Sequence, residues 1–311
     1  MKVAIVTLNP CLDRAIYLGG PLVPGDNHRA LRVVENAAGK GLNQAVVLEN
    51  LGTVCDYYSF SSGGEDTMSR FLASRCLRHH TAVARCGIRT NVKVIDGNGL
   101  GTEFNEAGGP VTADELDELL GMLDQFEGDI LSVCGSVPSG IDKSVYREMI
   151  ARGKQKGLRC VLDADGEALR LGLAGRPDVI KPNRRELAGL FGMSERELAS
   201  EERVIELARR VLDEYGTTVL CTLDENGSLC VSPEGVWRVG VAEVPLRGFS
   251  GAGDTYLAAF LHATYALGVD MPAALSFAAR ASAAKIALEG SVLPTKEQIA
   301  GIGEVLVEKI G

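Results

Sequence analysis

Residues 247–260 read Arg-Gly-Phe-Ser-Gly-Ala-Gly-Asp-Thr-Tyr-Leu-Ala-Ala-Phe, a glycine-rich turn running straight into an apolar, alanine-rich helix. Glycine lets backbone N–H groups turn inward unobstructed, and the free N–H groups and positive dipole end of a new helix attract an anion. Gly251, Ala252 and Gly253 therefore form a candidate phosphate cradle. Asp254 has two readings: a carboxylate complementing the helix dipole, or a general base beside a phosphoryl group held by those amides. Phosphoryl transfer favours the second, because it asks mainly for positioning, charge neutralisation and an acceptor for the attacking hydroxyl's proton.

Upstream of this junction, short buried strands alternate with amphipathic helices, which predicts an α/β layered fold on a largely parallel sheet. Strands are expected at Val3–Leu8, Ile130–Cys134, Arg159–Asp163, Val179–Lys181 and Thr218–Thr222. Helices are expected at Gly41–Leu51, Thr67–Arg78, Thr112–Gln125, Ser144–Lys156, Arg184–Phe191 and Glu201–Tyr215, several opened by Thr, Ser or Asn caps. Downstream, Thr255–Leu267 and Pro272–Leu288 read as two Ala-rich helices. Ala15–Asn36 and Cys86–Glu106 break the alternation with polar periodicity and Gly-rich turns, which predicts short antiparallel strands forming a lid apart from the main sheet.

The 311 residues suffice for one large domain, and 46% hydrophobic against 23% charged residues is a globular balance. A net charge of −9 argues against a nucleic-acid surface and makes locally concentrated cations informative. The eight cysteines show no C-x-x-C spacing and read as reduced thiols. Neither a secretory leader nor a membrane span is evident, so a cytoplasmic location is expected.

Four further constellations carry chemistry. Asp13, in Thr7-Leu-Asn-Pro-Cys-Leu-Asp13 after the first strand, is either a polyol ligand at the carboxyl edge of the sheet or a turn former. In Ala38-Gly39-Lys40-Gly41-Leu42-Asn43, Lys40 reads as a phosphate partner and Asn43 as a sugar-hydroxyl ligand, or the segment is an ordinary first helical turn. Asn183 and Glu186 share a helix face at i, i+3 spacing; they suit Mg²⁺ through its waters, or form a capping box, or do both. Thr222-Leu-Asp-Glu-Asn-Gly227-Ser228 reads as a hairpin. Arg89 lies in the lid, where it could close over an anion, whereas His79-His80 lack ligand spacing.

The order of these pieces resembles the ribokinase-like, PfkB-type carbohydrate kinases from Thr7 to about Gly290, with Arg89-Thr-Asn-Val-Lys93 and Gly135-Ser-x-Pro-x-Gly140 among the matching motifs. The first motifs look most like the branch containing 1-phosphofructokinase and tagatose-6-phosphate kinase. The resemblance implies a three-layer α/β domain spanning 1–311, a mostly parallel central sheet flanked by helices, and a β lid that closes the site and sometimes dimerises. It also implies ATP-dependent, Mg²⁺-dependent phosphorylation of a sugar hydroxyl, with a ketohexose monophosphate as acceptor. A kinase for an unphosphorylated sugar or nucleoside, or a non-catalytic sugar-phosphate sensor, are the competing readings.

By motif, Asp254 would be the base and the amides of Gly251, Ala252 and Gly253 the anion hole. Asp13, Gly39, Lys40, Asn43 and Arg89 would hold the sugar phosphate, with Arg29 a further lid candidate. Asn183 and Glu186 would organise Mg²⁺, while Lys181, Thr222, Asp224 and Gly227 would border the nucleotide. The chain departs from the family at Ala38, where glycine is usual, at Asp224, where glycine is again expected, and at Gly64-Glu-Asp-Thr-Met68. Asp224 could repel polyphosphate or join the Mg²⁺ shell; the reading preferred here is a side chain facing solvent.

Overall fold

A computed structural model describes every residue except Phe249. The chain enters through β1 (Lys2–Thr7), leaves the main layer through Asn9-Pro10, and builds β2 (Cys11–Leu18) and β3 (Ala30–Ala38) before returning as α1 (Lys40–Asn50). It continues through β4 (Val54–Ser61), α2 (Thr67–Ala73) and β5 (Arg78–Val83), then makes a second excursion as β6 (Arg89–Ile95) and β7 (Gly101–Asn105). Regular alternation follows: α3 (Ala113–Asp124), β8 (Ile130–Cys134), α4 (Val145–Gln155), β9 (Arg159–Asp163), α5 (Gly166–Gly172), β10 (Val179–Ile180), α6 (Arg184–Leu190), α7 (Glu201–Tyr215) and β11 (Thr218–Thr222). The meander β12 (Ser228–Ser232) and β13 (Gly235–Val239) precedes α8 (Ala252–Leu261), α9 (Met271–Ile286), α10 (Lys296–Ala300) and β14 (Val307–Lys309).

The main sheet has ten strands in the order β14-β13-β12-β11-β10-β9-β8-β1-β4-β5. Strands β5 to β11 of that order are parallel, and the β12, β13 and β14 edge is antiparallel. Helices α3, α4, α5, α6 and α7 bury their apolar sides on one face and α1, α2, α8 and α9 on the other. In α7 the buried stripe is Val204, Leu207, Ala208 and Val211, the spacing of a helix seated on one side, opened by a Ser200 cap and closed by left-handed Gly216. Strand order reverses on either side of β1, so its carboxyl end opens into a crevice, and both lid hairpins leave from that edge.

The lid is a separate four-stranded sheet, β3-β2-β6-β7, whose strands reach from Cys11 to Ala38 and from Arg89 to Asn105; its two hairpins are antiparallel as expected, but they join through β2 and β6, which run parallel. Two expectations need correction. The helix foreseen at Thr67–Arg78 stops at Ala73, and Arg78 opens β5, where its guanidinium lies 2.6 Å from the buried Asp56 carboxylate. Strand β4 was not foreseen, because Asp56 and Ser59 interrupt its apolar run; Asp56 is accommodated by Arg78 and by Lys2 at 3.3 Å.

Candidate active site

The site grows from three helix starts and two strand ends around the β1 crevice. Gly251 takes φ of 86°, a left-handed turn closed to most side chains, and from it α8 begins with Ala252, Gly253 and Asp254. A Cβ on Gly253 would come within 3.1 Å of the Lys181 ammonium, so glycine there lets that cation lie under the helix start. Asp254 is buried and accepts a 2.7 Å hydrogen bond from Asn43 Nδ2 in the first turn of α1. At the head of α1, Gly39 takes φ of 123°, and a Cβ on Gly41 would collide with Thr7 Oγ1 at 2.1 Å. That close approach presses α1 against β1 and brings Asn43 to Asp254.

Asp163, the last residue of β9, is the hub. Its carboxylate receives Lys40 Nζ at 3.1 Å and Gln44 Nε2 at 3.0 Å, and lies 3.6 Å from Lys181 Nζ. Lys40 Nζ also reaches Glu186 Oε1 at 3.3 Å. Burial alone would raise the Asp163 pKa, but Lys181 and Lys40 outweigh it and hold the carboxyl below its ordinary range. Burial, followed by the negative charge of Asp163, pushes Asp254 up to about 6 against the opposing pull of Lys181, Lys40 and Asn43. A carboxylate raised toward neutrality in a cation-lined crevice is a candidate general base.

Lys40 does not stand free in this structure: its ammonium is engaged by Asp163 at the end of β9 and Glu186 in α6, which raise its pKa against the effect of burial. Arg89 is likewise engaged, donating to the carbonyls of Glu106 at 2.8 Å and Asn9 at 3.3 Å, so it ties the lid to its hinge. Arg29 is exposed in the loop before β3 and does not border the cleft. Asp13 does: it accepts from Asn91 Nδ2 at 3.2 Å and lies 3.8 Å from Lys93 Nζ.

Asn183 and Glu186 form the capping box, Glu186 N to Asn183 Oδ1 at 2.8 Å and Asn183 N to Glu186 Oε2 at 3.0 Å. Asn183 also bridges to Thr222, which joins the β10 and β11 ends. Gly227 closes the following hairpin with φ of 82°, where a Cβ would meet the Val239 carbonyl at 2.1 Å. Asp224 is exposed in that turn and left-handed, with φ of 54°.

Between lid and main sheet lies a cleft of about 1110 Å³. Asp13, Arg32 and Lys93 line it from the lid, and Asn43, Arg75 and Arg247 from the body. Arg32 stacks over the Tyr17 ring at 4.2 Å. Asp163, Gln44, Arg32 and Arg247 were not singled out from the sequence. For Asp163 the signal was available, an acidic residue ending an apolar strand of a parallel sheet; the lid cations became legible only once strand register assigned alternate residues to the cleft side.

A model of the "pfkB family carbohydrate kinase" matches residues 6–298. The chain is 30% identical to 1-phosphofructokinase of Rhodobacter capsulatus over 99% of its length and 98% of that protein, and 29% identical to 1-phosphofructokinase of Escherichia coli K12 over 84% and 83%. The crystal structure of Escherichia coli phosphofructokinase-2 in complex with substrates and products superposes with a TM-score of 0.88 at 26% identity, covering 97% of this chain and 98% of that one. The fold is thus shared over nearly the whole chain, and the chain is a member of the pfkB family, an ATP-dependent carbohydrate kinase.

Proposed function

We propose that this kinase transfers the γ-phosphoryl group of ATP to a ketohexose monophosphate, of the fructose 1-phosphate or tagatose 6-phosphate type. The observation that carries the reading is the cleft between Asn43, which donates to Asp254, and the lid; it is bordered by Arg32 and Arg247, neither of which has an acidic partner among the described residues. A neutral sugar offers no counterpart to those cations, whereas each charge-assisted contact to a phosphate contributes roughly 1.5–3 kcal/mol. The 1-phosphofructokinase relatives support the same class of acceptor.

In this mechanism Asp13 and Asn43 hold sugar hydroxyls and orient the attacking oxygen. Asp254 takes that hydroxyl's proton as the oxygen attacks in line. The N–H groups of Gly251, Ala252 and Gly253 donate to the charge spread over the phosphoryl oxygens. Lys40 and Lys181, fixed by Asp163, supply positive charge behind the anion hole. Mg²⁺ keeps most of its waters and its phosphate ligands, so few protein oxygens are needed to place it. Glu186 with Asn183 would hold it through water, and it would neutralise polyphosphate charge when bound.

The outer face of the lid carries exposed Leu31, Val33 and Phe104, opposite the cleft-facing Arg32 and Glu103. We infer that this face pairs with a second copy of the chain, since an apolar patch of that kind is unfavourable in water. Measuring ADP release against a panel of hexose phosphates, free sugars and nucleosides tests the acceptor. The reading expects kcat/KM for a ketohexose monophosphate to exceed that for the free sugar by at least about tenfold, from a single charge-assisted contact; a free sugar or nucleoside as the best acceptor refutes it.

A further inference from the structure

Lys285, at the C-terminal end of α9, has none of its surface exposed, and the mechanism above gives it no task. Burying an ammonium is costly unless the group is held by acceptors and does something in return. Its Nζ donates to the carbonyl of Gly290 at 3.0 Å. Gly290 in turn lies against Gly248: a Cβ placed on Gly248 would stand 2.8 Å from the Leu288 carbonyl and 3.4 Å from both the nitrogen and the oxygen of Gly290. The amides of Arg247 and Gly248 donate to the Ile286 carbonyl at 2.9 and 3.1 Å. The Leu293 side chain closes the same contact from the other end, 3.5 Å from where a Cβ of Gly251 would be. Arg247–Gly248 and the stretch from Ile286 to Leu293 are thus locked to each other; both border the cleft, and Arg247–Gly248 lie just ahead of the anion-hole turn in the sequence.

We propose that Lys285 is a positioning residue for phosphoryl transfer: its tethered ammonium fixes the loop from Ile286 to Leu293, which holds the backbone of Arg247 and Gly248 and packs Leu293 on Gly251, and so aims the amides of Gly251–Gly253. The proposal rests on the reading of Gly251–Asp254 as the transfer site. Burial lowers the Lys285 pKa, with Lys93 adding to the effect, which marks an ammonium held at some cost to stability. An apolar replacement is therefore expected to spare the fold while releasing the loop. A displacement of about 1 Å at a reacting centre can cost on the order of a hundredfold in rate.

The test compares the parent with Lys285→Met and Lys285→Ala in kcat, both KM values and thermal midpoint. Lys285→Met should lower kcat about 10–100-fold, with both KM values within about threefold and a thermal midpoint no lower than the parent's. In Lys285→Ala, methylammonium should restore at least about tenfold in kcat by filling the vacated space, and should leave the parent unchanged. Parent-like turnover in Lys285→Met overturns the proposal. So does failure of both variants to fold, or a loss in Lys285→Ala that tracks the unfolded fraction and ignores methylammonium, since each would make Lys285 purely structural. Asp254→Asn, measured alongside, separates the two claims: if it turns over normally the transfer site itself is misassigned, and if it is impaired while Lys285→Met is not, only the Lys285 proposal fails.

Discussion

Asp254 shows how its surroundings set one residue's chemistry: burial and Asp163 raise its pKa to about 6, and Lys181, Lys40 and Asn43 keep it from rising further. Turnover should therefore fall as pH drops through about 6, where the base takes up a proton. Asp254→Asn should cut kcat by about 10²–10⁴ with substrate binding within a few-fold, readable by initial rates and titration calorimetry. The stability signs are opposite for the two aspartates. Asp254, raised in the folded state, costs stability above its folded pKa and regains it as pH falls through that value, so Asp254→Asn should not destabilise at neutral pH. Asp163, depressed in the folded state, contributes stability above its unfolded pKa and loses it as pH falls through its lowered folded value; Asp163→Asn should lower the thermal midpoint at neutral pH. Lys40→Met should reduce kcat and weaken ATP far more than it changes the sugar KM, because the ammonium sits between Asp163 and Glu186. Asp224→Gly should leave the KM for ATP within about threefold, because the exposed carboxylate is screened by solvent. It relieves a left-handed cost on the order of 1 kcal/mol, offset by glycine's backbone entropy of about the same size. A tenfold shift in ATP affinity in either direction would place that carboxylate against the polyphosphate.

Helix α1 couples sequence to site at the next scale, because its first turn carries Lys40, Asn43 and Gln44 together. Gly41→Ala drives a methyl group into Thr7, and should destabilise by about 1–3 kcal/mol, as overpacking does, with an added loss of turnover from the displaced Asn43; chemical denaturation and kinetics measure the two separately. What the sequence disclosed follows the same logic of local signals. Strands β8, β9 and β11 were legible to the residue because each is an apolar run bounded by turns, and the capping box at Asn183–Glu186 because its pattern is local. Strand β4 was hidden by buried Asp56 and Ser59: the charge of Asp56 is compensated from β1 and β5, elsewhere in the chain, and the Ser59 hydroxyl donates to the neighbouring Phe60 carbonyl. Lys40 and Arg89 were visible as cations beside glycines or in the lid, but which carboxylate or carbonyl each would meet depends on contacts across more than a hundred residues for Lys40 and eighty for Arg89. Asp163 lay in a correctly expected strand, yet its importance arises from where α1 and β10 deliver their lysines.

For the whole molecule, the lid that stands apart from the main sheet carries both proposals, that on assembly and that on the acceptor. If the outer lid face joins two copies, Phe104→Glu should shift sedimentation toward the monomer, whereas an unchanged mass distribution would remove that interface. The cleft between the two sheets has room for a sugar phosphate and sets Arg32 and Arg247 toward it. Arg32→Met should raise the KM for the phosphorylated acceptor by about tenfold or more, the worth of one charge-assisted contact, while the KM for ATP stays nearly constant. The most direct test is a competition followed by ³¹P NMR, in which limiting ATP and Mg²⁺ are given to the enzyme with equimolar fructose 1-phosphate, tagatose 6-phosphate and free fructose. A sugar bisphosphate as the main product is predicted; a monophosphate made from free fructose, or inorganic phosphate alone, would contradict it.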